Sequence, residues 1–318
     1  MEKYQATIRE GNMSECAAID PEHVVITEPV PGSDIPVHLM YVPTLDGLYA
    51  PIGLRRPPGQ GRFPIVLLAS GNGGGGMPWV REAVRNRGWI MERLLRAGYA
   101  VAWLRYRAEV ELGYNKGGRL IEDIRQGRQL LNRSPLEYED EIDVVKYVKT
   151  LPFVDPDRVA LAGVSHAGEM IFKLASEYHG AAAGVACEPA NHEFLDLTPD
   201  DTARVKPETQ MRDIEEMQMR QAEKVRARIN EKLARERIAT IRTPILVMGR
   251  EDDHLQGIFR VSYDLLREAG KDAEWVSYDH PMHGYLFPVR GADGVYAVDA
   301  TQEAAIDLAI DFFRRHMK

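Results

Sequence analysis

Two cysteines in 318 residues are too few for a disulfide framework, and neither Cys16 nor Cys187 stands at metal-ligand spacing. A bridge between them is open, but two buried, inert thiols are the expected state. No apolar run approaches the roughly 20 residues that a membrane span requires. Positive charge is not in excess: 40 Lys and Arg face 48 Asp and Glu, for a net charge of −8. That balance, with no basic stretch studded with aromatics, argues against a nucleic-acid partner. The opening residues Met1-Glu2-Lys3-Tyr4-Gln5 lack the apolar core of a secretory signal, so the cytoplasm is the default expectation, with an already-removed signal the alternative. Repeats and low-complexity segments are also missing. What remains is an ordinary globular composition, 44% hydrophobic and 28% charged, in a chain long enough to bury a sizeable core.

The order of apolar runs gives the architecture. His23–Ile26, Val37–Val42 and Leu48–Leu54 read as short strands separated by Pro-Gly turn chemistry, a spacing suited to antiparallel pairing. Apolar runs then recur at Pro64–Ala69, Tyr99–Leu104, Val159–Ala162, Ala182–Ala186, Pro244–Met248 and Ala273–Tyr278. Helical patterns lie between or after them, at Val84–Arg96, Ile142–Lys149, Met170–Tyr178, Gly257–Ala269 and Thr301–His316. Such alternation predicts an α/β fold with a mostly parallel central sheet and helices on both faces. One interval breaks the rhythm. From about Pro207 to Ile238 the chain reads as one long charged helix with an apolar stripe at Met211, Ile214, Met217, Ala222, Val225, Ile229 and Leu233. Glu216 with Arg220 and Glu231 with Arg235 are i,i+4 pairs in the favourable order. This insertion, residues 195–240, is expected to form a helical cap that overhangs the strand ends while its apolar stripe packs on the body, all within one domain spanning 1–318.

Chemistry is concentrated at Gly163-Val164-Ser165-His166-Ala167-Gly168, which follows the strand Arg158–Ala162 and opens a helix. A serine on a sharp strand-to-helix turn exposes its hydroxyl, and only small flanking residues fit across such a turn. The turn also sets the amide of His166 at a helix N-terminus, where unpaired N–H groups favour an anion. A serine nucleophile needs a base, and the base needs an orienting acid. Candidates follow in the right order: Arg250-Glu251-Asp252-Asp253-His254 after the strand Ile245–Gly249, then His283-Gly284 after the last strand. His280 and His254 are rival bases, with His280 expected to shape the loop.

With Val154-Asp155-Pro156-Asp157-Arg158 ahead of the elbow, these motifs make the chain resemble the α/β-hydrolases of the dienelactone-hydrolase and prolyl-oligopeptidase-like branch, over residues 35 to 316. The resemblance implies a catalytic triad of Ser165, Asp252 and His283. It puts the acid three residues after the strand-ending Gly249, which selects Asp252, with Asp253 as the alternative and otherwise a cap for the following helix. It also implies an oxyanion loop in Ser70-Gly71-Asn72-Gly73-Gly74-Gly75-Gly76, with the amide of Asn72 or Gly73 joining that of His166. Ser70 stands where the family often has histidine. Four glycines in a row also suggest a phosphate cradle, but no Gly-Lys-Ser/Thr follows them.

Met77 and Trp79 after the glycines, and Tyr285 and Phe287 after His283, are candidates for an apolar acyl pocket, with plain core residues the alternative; Arg107 is a candidate for a substrate carboxylate, with a structural ion pair the favoured role. No metal or organic cofactor is implied. The expected activity is hydrolysis of a small-molecule carboxylic ester through an acyl-enzyme. A small peptidase or amidase is the alternative, although the segment ahead of the fold is too short for the propeller that such peptidases carry. Thioesters and lactones are open as well, and a non-catalytic binding protein on the same scaffold is the rival from another class.

Overall fold

The structure is a computed structural model that describes residues 23–45, 47, 49–71, 76–105, 136–198 and 217–318. Cys16, Asn72, Gly73 and Arg107 lie outside them. Among the described residues nine strands form a single sheet: β1 (Val24–Glu28), β2 (Val37–Pro43), β3 (Tyr49–Arg55), β4 (Phe63–Ala69), β5 (Ala100–Leu104), β6 (Val154–Val164), β7 (Ala183–Cys187), β8 (Ile245–Arg250) and β9 (Ala273–Tyr278). Their spatial order is β1-β2-β3-β5-β4-β6-β7-β8-β9. The first three strands form an antiparallel meander, β3 joins β5 antiparallel, and every pair from β5 to β9 is parallel.

Helices cover both faces: α1 (Gly76–Asn86), α2 (Trp89–Arg96), α3 (Leu136–Val148), α4 (His166–Glu177), α5 (Ala222–Arg226), α6 (Glu231–Thr240), α7 (Gln256–Glu268) and α8 (Ala300–His316). Side chains on a strand alternate between faces, so one strand feeds two cores. In β4, Ile65, Leu67 and Ala69 enter the core shared with Val144 of α3, Ile171 of α4, Ile238 of α6 and Ile258 of α7. Val66 and Leu68 enter the opposite core with Val80 of α1, Leu94 of α2 and Phe313 of α8. Burial on both faces explains why the parallel strands read as unbroken apolar runs. Each large aliphatic side chain withdrawn in this way contributes about 1.5–3 kcal/mol.

Two helical expectations are corrected. The pattern at Val84–Arg96 is two helices, α1 and α2. At the break Gly88 lies so close to the helix before it that a Cβ would stand 2.4 Å from the Val84 carbonyl oxygen. The Tyr296 hydroxyl fastens the corner, accepting from Gly88 N at 2.9 Å and donating to Arg85 O at 3.0 Å. The long helix over Pro207–Ile238 is likewise broken wherever it is described: residues 217–220 are not helical, and α5 and α6 are separate. The turn between them is bonded to another loop. Thr198 N donates to Arg228 O at 2.9 Å and Asn230 N to Leu195 O at 3.2 Å. Asn230 then caps α6 by accepting from Leu233 N at 3.2 Å. Periodicity survives the break, because Met217 and Val225 are still buried and Glu231 accepts from Arg235 Nε at 2.8 Å. The described part of the insertion packs on α4 and α7, and Arg226 and Arg235 both pair with Glu268 on α7 at 2.6 Å.

Candidate active site

Ser165 leaves β6 with φ 60° and ψ −119°, the sharp turn the hexapeptide predicts. A side-chain-bearing residue held there costs about 1–3 kcal/mol, so its neighbours must hold it. Ser165 N donates to Cys187 O at 2.9 Å, and Ser165 O accepts from Ala190 N and Glu169 N, each at 3.1 Å. Small residues are required by contact. A Cβ on Gly163 would lie 2.4 Å from Ala167 O, and one on Gly168 would lie 2.9 Å from Pro189 Cα. The bonds to Cys187 and Ala190 place the serine against the loop that leaves β7.

That loop carries a residue the sequence reading did not weigh. Glu188, fully buried, follows Cys187 directly with φ 48°. Its Oε1 lies 3.2 Å from His283 Nδ1 and accepts from Arg250 Nε at 2.7 Å. Oε2 accepts from Gly284 N at 2.6 Å. The same Gly284 adopts φ 76° and abuts Val164, the residue before the serine, where a Cβ would meet Val164 Cγ1 at 3.2 Å. Thus the His283 loop, the Glu188 loop and the elbow meet at the carboxyl ends of β6, β7 and β8. Burial pushes the Glu188 carboxyl up, but the bonds from His283, Gly284 and Arg250 outweigh it and hold the group below the usual glutamate value. For His283, burial pulls the imidazole down, and the Glu188 carboxylate, aided by Asp253, more than reverses this and raises it above the ordinary histidine value.

After β8 the structure brings Asp253, rather than Asp252, towards the imidazole. Asp253 Oδ2 lies 3.9 Å from His283 Nδ1, and its side chain is 1% exposed. Asp252, the residue selected by counting from Gly249, has a side chain 93% exposed and pairs with Arg220 at 3.6 Å. The cause is local. β8 continues to Arg250, whose partner is Tyr278, and Glu251 N still donates to Tyr278 O at 2.9 Å. The turn therefore comes late, and Asp252, with φ 61°, sits on its outside. Asp253 Oδ1 also accepts from Leu255 N at 2.7 Å in the turn ahead of α7, but it does not cap the helix, whose N-cap residue is Leu255.

Arg250 joins the two acids, donating to Glu188 and, through a short contact, to Asp253. One ligand atom each of Glu188, Asp253 and His283 falls within 4.8 Å of the others, a spacing a metal ion could use. The guanidinium already supplies the positive charge that these carboxylates would seek.

The other predicted residues divide. His280 shapes the loop: its Nε2 bonds Asp299 Oδ2 at 2.8 Å and its Nδ1 accepts from Met282 N at 3.1 Å. Asp299 in turn caps α8 in a capping box with Gln302. His254 is held at the surface, 3.4 Å from Asp253. The His166 side chain is buried, 2.7 Å from Glu137, and its amide belongs to the first residue of α4.

Of the predicted oxyanion loop, Ser70, Gly71 and Gly76 are described, and Gly71 lies beside Ser165: a Cβ there would lie 3.2 Å from Ser165 Cβ and 3.4 Å from Ser165 Oγ. Tyr285 and Phe287 are core residues rather than pocket walls. Tyr285 is fully buried with its hydroxyl on Gly249 O at 2.9 Å, and Phe287 packs edge-on against Trp103 at 4.8 Å. Met77 is also buried, whereas Trp79 is half-buried. Cys187 is a free, buried thiol whose pKa burial pushes up, as expected of an inert cysteine.

A serine elbow at the carboxyl end of a parallel strand, in a sheet of this order, makes the chain an α/β-hydrolase by fold. Residues 135–289 match the family described as BAAT / acyl-CoA thioester hydrolase C terminal. No curated protein matches the chain by sequence. Among solved structures, it is similar to the acylaminoacyl peptidase of Pyrococcus horikoshii (16% identity, TM-score 0.60), over 90% of this chain but only 42% of the peptidase. An esterase from Pyrobaculum calidifontis is 19% identical with TM-score 0.57, over 91% of this chain and 84% of the esterase. A Klebsiella pneumoniae protein described as a dienelactone hydrolase is 16% identical with TM-score 0.57, over 89% of this chain and 100% of its own. Among the described residues no helix is long and apolar enough to cross a membrane.

Proposed function

We propose that the chain is a serine hydrolase that cleaves a small carboxylic ester through an acyl-enzyme. The observation that carries the proposal is the buried Glu188 carboxylate 3.2 Å from His283 Nδ1, on a loop bonded to the main chain of the strained Ser165. Glu188 takes the role of orienting acid in place of Asp252. It holds Nδ1 protonated, which leaves Nε2 of His283 as the base for the serine hydroxyl. As His283 takes that proton its charge develops beside Glu188, Asp253 and the counter-charge of Arg250. Ser165 Oγ attacks the carbonyl carbon, and the tetrahedral oxyanion is received by the amide of His166 and an amide of the glycine loop. His283 then protonates the leaving alkoxide, and later activates the water that releases the acid.

A thioester is the second reading, favoured by the family match over residues 135–289. Both bonds pass through the same acyl-serine and differ in the leaving group. The test is intact mass after exposure to a fluorophosphonate, with turnover of matched oxyester, thioester and amide substrates. A single adduct on the wild type and none on Ser165→Ala is the expected result, with ester or thioester cleaved far faster than amide. Wild-type turnover by Ser165→Ala would overturn the mechanism, and equal amide turnover would favour a peptidase.

A further inference from the structure

Arg105 is a fully buried arginine that the triad does not use. It stands just past β5, where its own amide donates to Pro51 O at 3.2 Å on β3. Its guanidinium reaches across to the oxyanion loop. Nη1 donates to Ser70 O at 3.0 Å and Nη2 to Gly71 O at 2.8 Å. Trp79 covers it, with Cζ 3.8 Å from the ring centroid, and Trp79 is itself seated edge-on against the core residue Trp103 at 6.0 Å. A stacked, bidentate guanidinium is a rigid fork, so both carbonyls are fixed in direction.

Peptide planarity gives that clamp a consequence. In a trans peptide the N–H points opposite to the carbonyl of the same plane. Drawing Ser70 O towards Arg105 turns the amide of Gly71, which shares its peptide plane, away from the guanidinium. Gly71 is also the residue packed on Ser165, 3.4 Å from Oγ measured from its Cβ position. We infer that Arg105 is a positioning residue for the oxyanion hole: held by Trp79 and the sheet, it aims the Gly71 amide at the oxygen that becomes charged when Ser165 attacks. It touches neither substrate nor reacting atoms. The inference rests on the serine-hydrolase reading above.

The experiment compares wild type, Arg105→Met and Arg105→Lys. It uses an ester turned over by the wild type, together with a trifluoromethyl ketone and a methyl ketone of the same acyl skeleton. The trifluoromethyl ketone adds the serine to form a tetrahedral oxyanion, whereas the methyl ketone binds mainly as the ground state. Arg105→Met is expected to lose on the order of 100-fold in kcat with little change in KM, the size seen when an oxyanion donor is removed. Trifluoromethyl-ketone affinity should fall by a similar factor while methyl-ketone affinity stays within about twofold, because only the former needs the aimed amide. Arg105→Lys keeps the buried cation but not the fork. It should fall between the two and carries the test if the methionine variant does not fold. Equal weakening of both ketones, or unchanged kcat in a folded variant, would overturn the inference. Failure of the wild type to label with fluorophosphonate would instead overturn the serine-hydrolase reading.

Discussion

The loops that leave β7 and β8 each deliver a carboxylate to the same imidazole nitrogen, yet they hold it in different ways. Glu188 is the first residue past its strand, turned inward by a positive φ, and its oxygens bind His283, Gly284 and Arg250. Every one of those partners belongs to the site. Asp253 is three residues past its strand, and one of its oxygens is committed to Leu255 N ahead of α7. It lies 3.9 Å from Nδ1 against 3.2 Å for Glu188. Both carboxylates share Arg250, but the other contacts of Glu188 go to the His283 loop, whereas Asp253 divides its own between the histidine and the turn ahead of α7. Glu188, directly past its strand, comes closer to Nδ1 than Asp253, which stands further along its loop.

The comparison can be broken most forcefully at Glu188. Glu188→Gln should lower kcat by on the order of 10³–10⁴, as when a triad acid is neutralised and the histidine tautomer is no longer enforced. Steady-state kinetics on a folded variant checks this, and near-wild-type turnover would make Asp253 the orienting acid. Asp253→Asn should cost only about 10-fold, since it removes charge near the imidazolium but not the closer bond.

The pH profile sharpens the contrast. His283 must be neutral to act as base, and its pKa is raised in the fold, so kcat/KM should rise with pH through a value above 6.5. Glu188→Gln should move that limb downward more than Asp253→Asn does. Stability has the opposite dependence on the two partners. The raised His283 contributes fully below its reference of 6.5 and loses its contribution as pH climbs through the folded value. The lowered Glu188 contributes above its reference of 4.5 and loses it as pH falls through the folded value. Wild-type melting temperature should therefore peak between these limits, and the peak should flatten in Glu188→Gln. The smallest effect belongs to Asp252→Asn, which should leave both kcat and melting temperature unchanged, because its side chain is 93% exposed and pairs with the exposed Arg220.

The inner parallel strands were legible because they are buried on both faces and their composition shows it, whereas the edge strands β1 and β9 are only partly buried and were read from weaker runs. The serine turn was legible for a different reason, since the contacts at Gly163 and Gly168 leave no room for a side chain. Counting from Gly249 selects Asp252 because it assumes that the strand stops there, whereas the pairing of Arg250 with Tyr278 extends the strand and leaves the Asp252 side chain facing outward. Nothing local in the sequence announces that extension. Glu188 did leave a signal, an acid directly after a buried strand in Cys187-Glu188-Pro189, but a search for the acid after the next strand passes over it. Arg105 left none, because its role arises from loops 35 residues apart meeting in space. The break before α6 was hidden too, as an apolar stripe continues through it and the bonds that impose the break come from residues 195–198.

Ser165 also bears on what selection for hardiness alone would do to this chain. Its φ of 60° is a conformation that glycine adopts without penalty. Among variants sorted by heat resistance, a glycine at 165 would rise towards the top, with the sheet, the helices and the His283 loop all intact. The sturdiest descendant of this fold would be one that had lost its nucleophile, so thermal robustness and chemistry here pull on a single residue in opposite directions.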